Sequence, residues 1–565
     1  MSQSKQTSAD FTNNAPVVLD PTVAAFGSKD TLNTLGRTHF IGIGGAGMSV
    51  LAEMLHEQGV EVTGSDREPS VHTERLQSLG ISVFFGQRSE NVRGATTVVY
   101  SSAIKPDNPE IVEAARLGTH IVHRSDILAL LMAGKRAVTV AGAHGKTTTS
   151  SLLAHILVNA GTGTLADPSY AIGGSIQTSQ GAPLEGGHAG DGDVLVAEAD
   201  ESDGSFGKYS PQIALMVNAE ADHLDHYGDV DNYRNAFVAY AGHSRGQVVM
   251  SLDDEGSRAI FAALPNEVAD RTICYTMAED DNAVGTNASR DSASRTAVQV
   301  VSETGSNGIG NDDASRAARA AMSKGAHVVR ILAEREHAGD GIERFAIRLP
   351  KGFNGMESQT DIPVALQVPG AHNARNATAA IIAAVLLGMD AGRAAQAASG
   401  FLGASRRFEI KGIANGVTVV DDYAHHPTEI TALLKAARRR YPQATIHVLF
   451  QPHLFSRTKF FTQQFAQALG LADDVVVTSI YPARERQEDF AEVRPDNIVV
   501  AANGLNHDPR NRWIRVIENM REAALTLARQ AKSGDVIITV GAGDVTAMGG
   551  VMLDALNART REAHR

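Results

Sequence analysis

The chain holds a single cysteine, Cys274, so no disulfide can form within it and no thiolate cluster exists to bind zinc. That scarcity suits a reducing compartment. Long apolar runs are missing as well. The longest, such as Ile381 to Leu387, fall well short of a membrane span. The opening residues, MSQSKQTSADFTNNAPVVLD, lack a basic start followed by an apolar stretch, so no secretory signal is expected. Basic excess is absent too: 51 Lys and Arg against 64 Asp and Glu leave a net charge of −13. This argues against a nucleic acid or an anionic membrane as the main partner. Together these absences point to a cytoplasmic location and leave the oligomeric state open.

What is present is an ordinary globular balance, 43% hydrophobic and 20% charged over 565 residues, enough for several domains that each bury a core. Residues 1–36 are polar and aperiodic and are expected to form a loose tail. HFIGIGGAGM then reads as a strand entering a glycine turn, MSVLAEMLHEQG as a helix and VEVTGSD as a second strand. A second such series opens with RAVTVAGAHGKTTTSSLLAHIL, and a third with VTVVDDY, ATIHVLF, DVVVTSI and DVIITVGAG. Strands alternating with helices predict parallel sheets covered by helices. The domains are read as 37–134, 135–400 and 401–565. Within the second, residues 278–324 turn rich in Ser, Asp, Asn, Gly, Ala and Arg and are expected to be a flexible surface insertion.

Gly42, Gly44 and Gly47 satisfy G-x-G-x-x-G between a strand and a helix, with Gly45 and Ala46 inside the turn. Glycines there let backbone N–H groups approach a pyrophosphate at a helix N-terminus. Asp66 ends the next strand, where an acidic residue commonly takes ribose hydroxyls. Alone, this pattern reads as an NAD site or as simple close packing. A nucleotide sugar also presents a diphosphate and a ribose.

The second loop, Gly142-Ala143-His144-Gly145-Lys146-Thr147-Thr148, also joins a strand to a helix. Its Lys146 and backbone amides suit phosphates, and the Thr147 hydroxyl suits Mg²⁺. Two later strands end in Glu198-Ala-Asp-Glu-Ser-Asp203 and Asn218-Ala-Glu-Ala-Asp-His-Leu-Asp225. In an open parallel sheet such ends share one edge, so Lys146, Glu198 and His223 can converge there. Carboxylate plus imidazole without thiolate suggests magnesium rather than zinc.

In order along the chain, GIGGAGM, GSD, GAHGKTTT, EADESD, NAEADHLD, PGAHNARNA, RRFE, DDYAHHPTEI and QPHLFSRT resemble the Mur ligase family over nearly the whole length. The resemblance implies three consecutive α/β domains with mostly parallel sheets: Rossmann-like, phosphate-loop ATPase-like and Rossmann-like. It implies ATP and Mg²⁺, with UDP-N-acetylmuramate and L-alanine as substrates joined through an acyl phosphate. By position, Gly44, Gly45, Ala46, Gly47, Asp66 and His123 would serve the UDP-sugar. Gly142 to Thr148 with His372, Asn373 and Asn376 would hold ATP. Thr147, Glu198 and His223 would hold metal. Arg406, Asp422, Tyr423, His425 and Arg457 would lie on the amino-acid and phosphate side, and Lys146, Glu198, His223 and Arg407 would be catalytic.

Which of Arg406 and Arg407 is functional stays open. Two positions depart from some members, Ala424 for Gly and Leu454 for Arg, and the Tyr233–Tyr240 segment has no lysine to carbamylate. Shielding an acyl phosphate from water implies that the outer domains close on the central one. Lys146→Ala is expected to abolish turnover and leave the fold intact. The alternatives are a ligase that attaches a recycled murein peptide to the same sugar, an NAD-dependent oxidoreductase, and a nucleotide-sensing scaffold.

Overall fold

The computed structural model describes residues 17–179, 181–278, 309–333, 341–483, 485–505 and 513–563. The chain divides into two compact units, the boundary in sequence falling between Ala133 and Gly134. Among the described residues no helix is long and apolar enough to cross a membrane.

The first unit carries one sheet of β1 (Thr38–Ile41), β2 (Val62–Asp66), β3 (Ser82–Phe85), β4 (Thr97–Tyr100) and β5 (His120–His123). Its order is β3-β2-β1-β4-β5 with every pair parallel. The helix Ala46–Glu57 leaves the glycine turn and buries Met48, Leu51, Ala52 and Leu55, an i, i+3, i+4, i+7 stripe. The expectation of a loose tail over 1–36 fails for its second half, residues 1–16 lying outside the described ones. Residues 17–36 do not hang free: Leu35 is fully buried, and Val17 and Leu19 pack on the cluster of Ile41, Val98 and Tyr100. The Ala25 N–H also donates to Asp126 Oδ1 at 3.1 Å. A few apolar side chains anchor a segment whose average composition is polar.

The second unit contains two sheets. The larger has β6 (Arg136–Ala141), β7 (Ser169–Ala171), β8 (Gly187–His188), β9 (Val194–Glu198), β10 (Ile213–Met216), β11 (Gln247–Ser251), β12 (Thr272–Thr276), β13 (His327–Ala333), β14 (Glu343–Leu349) and β15 (Thr360–Leu366). Its order is β15-β14-β13-β12-β11-β10-β6-β9-β7-β8. From β7 to β13 the neighbours are parallel, and β8, β14 and β15 add antiparallel edges. The central strands are buried almost throughout, whereas β14 alternates buried and half-buried, as an edge hairpin should. The order reverses beside β6, so the loop after β6 opens at the point where ligands bind such sheets. The helices Lys146–Ala160 and Ala371–Leu386 share the core, through Leu152, Leu153, Ile156, Ile381 and Ile382.

Part of the stretch expected to be a flexible insertion is a packed helix. Residues 279–308 lie outside the described residues, but Ile309–Ser323 is a helix crossing from β12 to β13. Ala314, Ala318 and Ala321 form its buried face. An alanine face carries little hydrophobic contrast, so this packing helix resembled a surface stretch.

The smaller sheet has β16 (Glu409–Ala414), β17 (Val417–Asp422), β18 (Ile446–Phe450), β19 (Asp474–Val477), β20 (Ile514–Val516) and β21 (Val536–Val540), in the order β16-β17-β21-β18-β19-β20. All pairs are parallel except β16 with β17.

Candidate active site

The loop after β6 is shaped by close approach. Gly142 has φ +141° and Gly145 φ +82°. A Cβ on Gly142 would stand 2.8 Å from Asn218 O, and one on Gly145 2.8 Å from Asn376 Oδ1. Only glycine fits both steric demands. Lys146, the first residue of the following helix, donates to Gly142 O at 2.7 Å and to both oxygens of Glu201 at 2.8 and 3.1 Å. Thr147 and Thr148 continue the first turn.

Glu201 was missed in the sequence. It lies three residues beyond Glu198, and its side chain is fully buried. Burial pushes its carboxyl above the ordinary value despite the neighbouring ammonium. Burial alone would lower Lys146, but Glu201, Asp200 and Glu198 outweigh it and hold the ammonium charged. His223 Nε2 lies 3.7 Å from Glu201 and 3.8 Å from Asp222. Arg457 reaches Asp222 at 3.2 Å, tying the smaller sheet's domain to this edge. Glu198, at the end of β9, accepts the Gly173 N–H at 2.8 Å through Oε1. Among the described residues its Oε2 makes no hydrogen bond, and a carboxylate oxygen is the kind of ligand a hard cation takes. Lys146, Glu198 and His223 lie at or just beyond the carboxyl ends of the neighbouring strands β6, β9 and β10. Among the described residues a different trio, His144, Glu220 and His426, holds its nitrogen and oxygen atoms within 4.8 Å of one another.

That trio belongs to a charge network. His144 Nε2 lies 3.0 Å from Glu220 and Nδ1 3.4 Å from Glu429, which projects from the helix Pro427–Arg440. Burial opposes charge on His144, but the two glutamates raise it to about 10. His426, its ring tilted 4.9 Å from that of His144, is instead held down at about 4, first by burial and then by its charged neighbour. The Thr428 hydroxyl donates to Glu220 at 2.7 Å.

Beside this network a cavity of about 270 Å³ opens, lined by His144, Gly145, Asp253, His372, Asn373, Asn376, Arg407 and Asp422, with Val217, Val368, Phe401, Phe408 and Leu433 as its apolar wall. Apolar walls with a few convergent polar groups suit a nucleoside. Asn373 is pinned by donating to Pro369 O at 2.7 Å. His372 is held neutral, its value lowered to about 4 by burial and then by Arg375 and Arg439. Asp422 accepts the Phe408 and Ala424 N–H groups at 2.7 and 2.8 Å, and burial raises it to about 6. The cavity therefore gathers the loop after β6, the HNARN helix and the DDYAHHP segment.

The two arginines part company. Arg406 has φ +57° and is tied to Asp421 at 3.3 Å and to Gly541 O at 2.5 Å. Both guanidiniums lie 4.8 Å from the Tyr423 ring centre, but only Arg407 lines the cavity. His425, behind Tyr423, sets Nδ1 3.2 Å from Glu429.

In the first unit, Asp66 does more than end β2. Its Oδ2 accepts the Gly44 N–H at 2.8 Å and its Oδ1 the Arg67 N–H, so the carboxylate braces the turn itself. Gly45 caps the helix and Ala46 begins it. A Cβ on Gly47 would stand 2.9 Å from Arg124 Nη1, which places at this helix start a cation that no local motif marks. His123 is buried, with Nε2 3.1 Å from Ser102 Oγ and Nδ1 2.8 Å from Ser125 Oγ. It caps the helix Arg124–Met132.

A glycine loop with its lysine at a sheet's reversal point, opening on a nucleoside-sized cavity, defines a phosphate-loop α/β protein. Family models match in three consecutive stretches: "Mur ligase family, catalytic domain" over 37–136, "Mur ligase middle domain" over 140–308 and "Mur ligase, glutamate ligase domain" over 406–543. A UDP-N-acetylmuramate–L-alanine ligase of Bifidobacterium adolescentis is 61% identical, covering 97% of each chain. One of Streptomyces coelicolor is 40% identical over 93% of this chain and 98% of its own. The solved structure of a UDP-N-acetylmuramate-alanine ligase from Thermotoga maritima is similar at TM-score 0.66 and 27% identity, covering 93% of this chain and 99% of that one. The chain belongs to the Mur ligase family.

Proposed function

We propose that this protein joins L-alanine to the lactyl carboxylate of UDP-N-acetylmuramate, converting ATP to ADP and phosphate, as a cytoplasmic step in peptidoglycan precursor synthesis. The observation that carries the reading is the cavity beside Lys146, where the phosphate loop, His372, Asn373 and Asp422 meet. The alanine ligases at 61% and 40% identity span nearly the whole chain, which favours alanine over a recycled peptide. An oxidoreductase would leave Lys146 and its acidic neighbours without a role.

A carboxylate acylates poorly because oxide is its leaving group. Attack of the lactyl carboxylate on the ATP γ-phosphorus gives an acyl phosphate and turns that group into phosphate. Lys146 Nζ, once released from Glu201, faces the transferring phosphoryl oxygens, and Arg407 supplies a second positive charge from the cavity wall. Arg406 holds the β17–β21 end instead. Asp422 and the Asn373–Asn376 turn orient the nucleoside. Thr147 and Glu198 offer oxygen ligands of the kind Mg²⁺ takes, with His223 nearby, and the bound ion would neutralise phosphate charge. The glycine turn of the first unit, with Arg124 beside Gly47, takes the UDP-sugar diphosphate.

The test is phosphate release from ATP with UDP-N-acetylmuramate, adding L-alanine or the murein tripeptide in turn. Release with alanine alone supports the reading. Release only with tripeptide, or none with either, overturns it.

A further inference from the structure

We propose that His425 is the base that takes the proton from the ammonium of the incoming amino acid, and that Glu429 positions it. The inference rests on the ligase reading. At neutral pH the amino acid arrives as an ammonium with no lone pair, so a proton must leave before the nitrogen can attack.

The neighbouring groups are otherwise engaged. His144 is wedged between Glu220 at 3.0 Å and Glu429 at 3.4 Å and is already charged. His426 is 3% exposed, packs against the tilted His144 ring and edge-on to Phe461, and accepts the Thr428 N–H. Glu201 carries Lys146, and Asp222 carries Arg457. His372 is enclosed in the cavity wall.

His425 differs from all of these. Its side chain is 22% exposed, and Nδ1 faces Glu429 Oε2 at 3.2 Å and Tyr423 O at 3.1 Å. A proton on Nδ1 serves both acceptors and leaves the lone pair on Nε2. Among the described residues Nε2 has no hydrogen-bond partner. A carboxylate that fixes the tautomer and bears the charge of the imidazolium is the arrangement that makes histidine a general base. Glu429 is itself fixed, accepting the His425 and His426 N–H groups at 2.9 and 3.1 Å through the same oxygen. Its other oxygen faces His144 of the phosphate loop. One carboxylate thus spans the base and the loop that handles the phosphates, which sets the base beside the acyl phosphate. The ring is flanked by Tyr423 at 5.3 Å and His453 at 5.6 Å. His453 stacks in turn on Tyr481, forming a small aromatic wall.

In the step, the Nε2 lone pair accepts one ammonium proton. The freed amine pair forms the C–N bond to the acyl carbon, the C–O bond breaks, and phosphate departs with that electron pair. A second nitrogen proton leaves with the phosphate, and the imidazolium returns its proton to solvent.

The test compares two nucleophiles in the full-length enzyme with ATP, magnesium and UDP-N-acetylmuramate. Alanine needs deprotonation, whereas hydroxylamine is already neutral near pH 7 and traps the acyl phosphate as hydroxamate. His425→Asn keeps a donor for Glu429 and deletes Nε2. Its alanine turnover should fall about 10²–10⁴-fold, with hydroxamate formation down less than about tenfold. Glu429→Gln should likewise cost the alanine reaction about tenfold more than the hydroxamate reaction, whereas a merely structural role lowers both alike. Equal losses with both nucleophiles, or alanine turnover in His425→Asn within about tenfold of wild type, overturn the inference. His425→Gln, tested alongside, must show the same split. Wild-type enzyme that makes neither amide nor hydroxamate would instead defeat the ligase reading.

Discussion

Replacing Lys146 with methionine should damage stability as well as turnover, which revises the expectation that the fold would be untouched. Lys146 Nζ sits 2.8 and 3.1 Å from the two oxygens of Glu201, a carboxylate with no exposed surface. Breaking a buried pair by removing one partner costs about 3–5 kcal/mol, because a charge is left uncompensated. His223 Nε2 remains 3.7 Å away, so the lower end applies. About 3 kcal/mol is roughly a hundredfold in the folding equilibrium of the second unit.

The sign with pH follows from Glu201, whose folded value already stands above 4.5 and rises further without the lysine. The folded state then binds a proton that the unfolded chain has lost. Stability therefore falls as pH rises from about 4.5 through the folded value. The deficit is greatest at neutral pH and shrinks toward pH 5. Denaturant midpoints followed by circular dichroism at pH 7 and pH 5 would measure it, alongside phosphate release, which should fall at least about 10²–10³-fold. Lys146→Met with Glu201→Gln should recover the midpoint without recovering turnover. A single variant that unfolds at the wild-type midpoint at pH 7, or a double variant no more stable than the single, would refute the reasoning.

Gly145→Ala places a methyl 2.8 Å from Asn376 Oδ1 at φ +82°, so ATP-analogue binding should weaken at least about tenfold by calorimetry and stability should drop about 1–3 kcal/mol. Asn376→Ala added to it should relieve the steric part alone. Arg406→Ala should lower the denaturation midpoint through its lost ties to Asp421 and Gly541, whereas Arg407→Ala should cut turnover at an unchanged midpoint. His144, raised from 6.5 to about 10, adds stability that is complete below pH 6.5 and is lost as pH rises through about 10. His144→Gln should flatten the decline in midpoint between pH 7 and pH 10.

The phosphate loop was legible because its chemistry is local. Strand, glycines and lysine stand within a dozen residues, and the steric reasons for Gly142 and Gly145 only became specific once Asn218 and Asn376 were in place. The HNARN helix was legible as a motif for a similar reason. What composition hid was packing by small or isolated residues: the alanine face of Ile309–Ser323, and Val17, Leu19 and Leu35 in a polar segment. Arg406 and Arg407 could not be told apart as letters, since the difference lies in a left-handed backbone at Arg406 that fixes its side chain under β21.

The carboxylates were the least legible part, and the reason is geometric. Glu198, Glu201 and Glu220 all lie in acidic runs beside strand ends, and any could have been a solvated loop charge. β9 stops at Glu198, so that side chain stays at the open edge, while the chain turns and carries Glu201 beneath Lys146, 55 positions away in sequence. Glu429 carries a local signal, since His426 and Glu429 form a capping box at the start of the helix Pro427–Arg440. That signal predicts a helix start and nothing more. Its meeting with His144 arises only because the edges of two sheets in one unit face each other, giving the cap carboxylate a second partner on the phosphate loop. A residue that looks like helix punctuation is thereby placed to couple the two halves of the reaction.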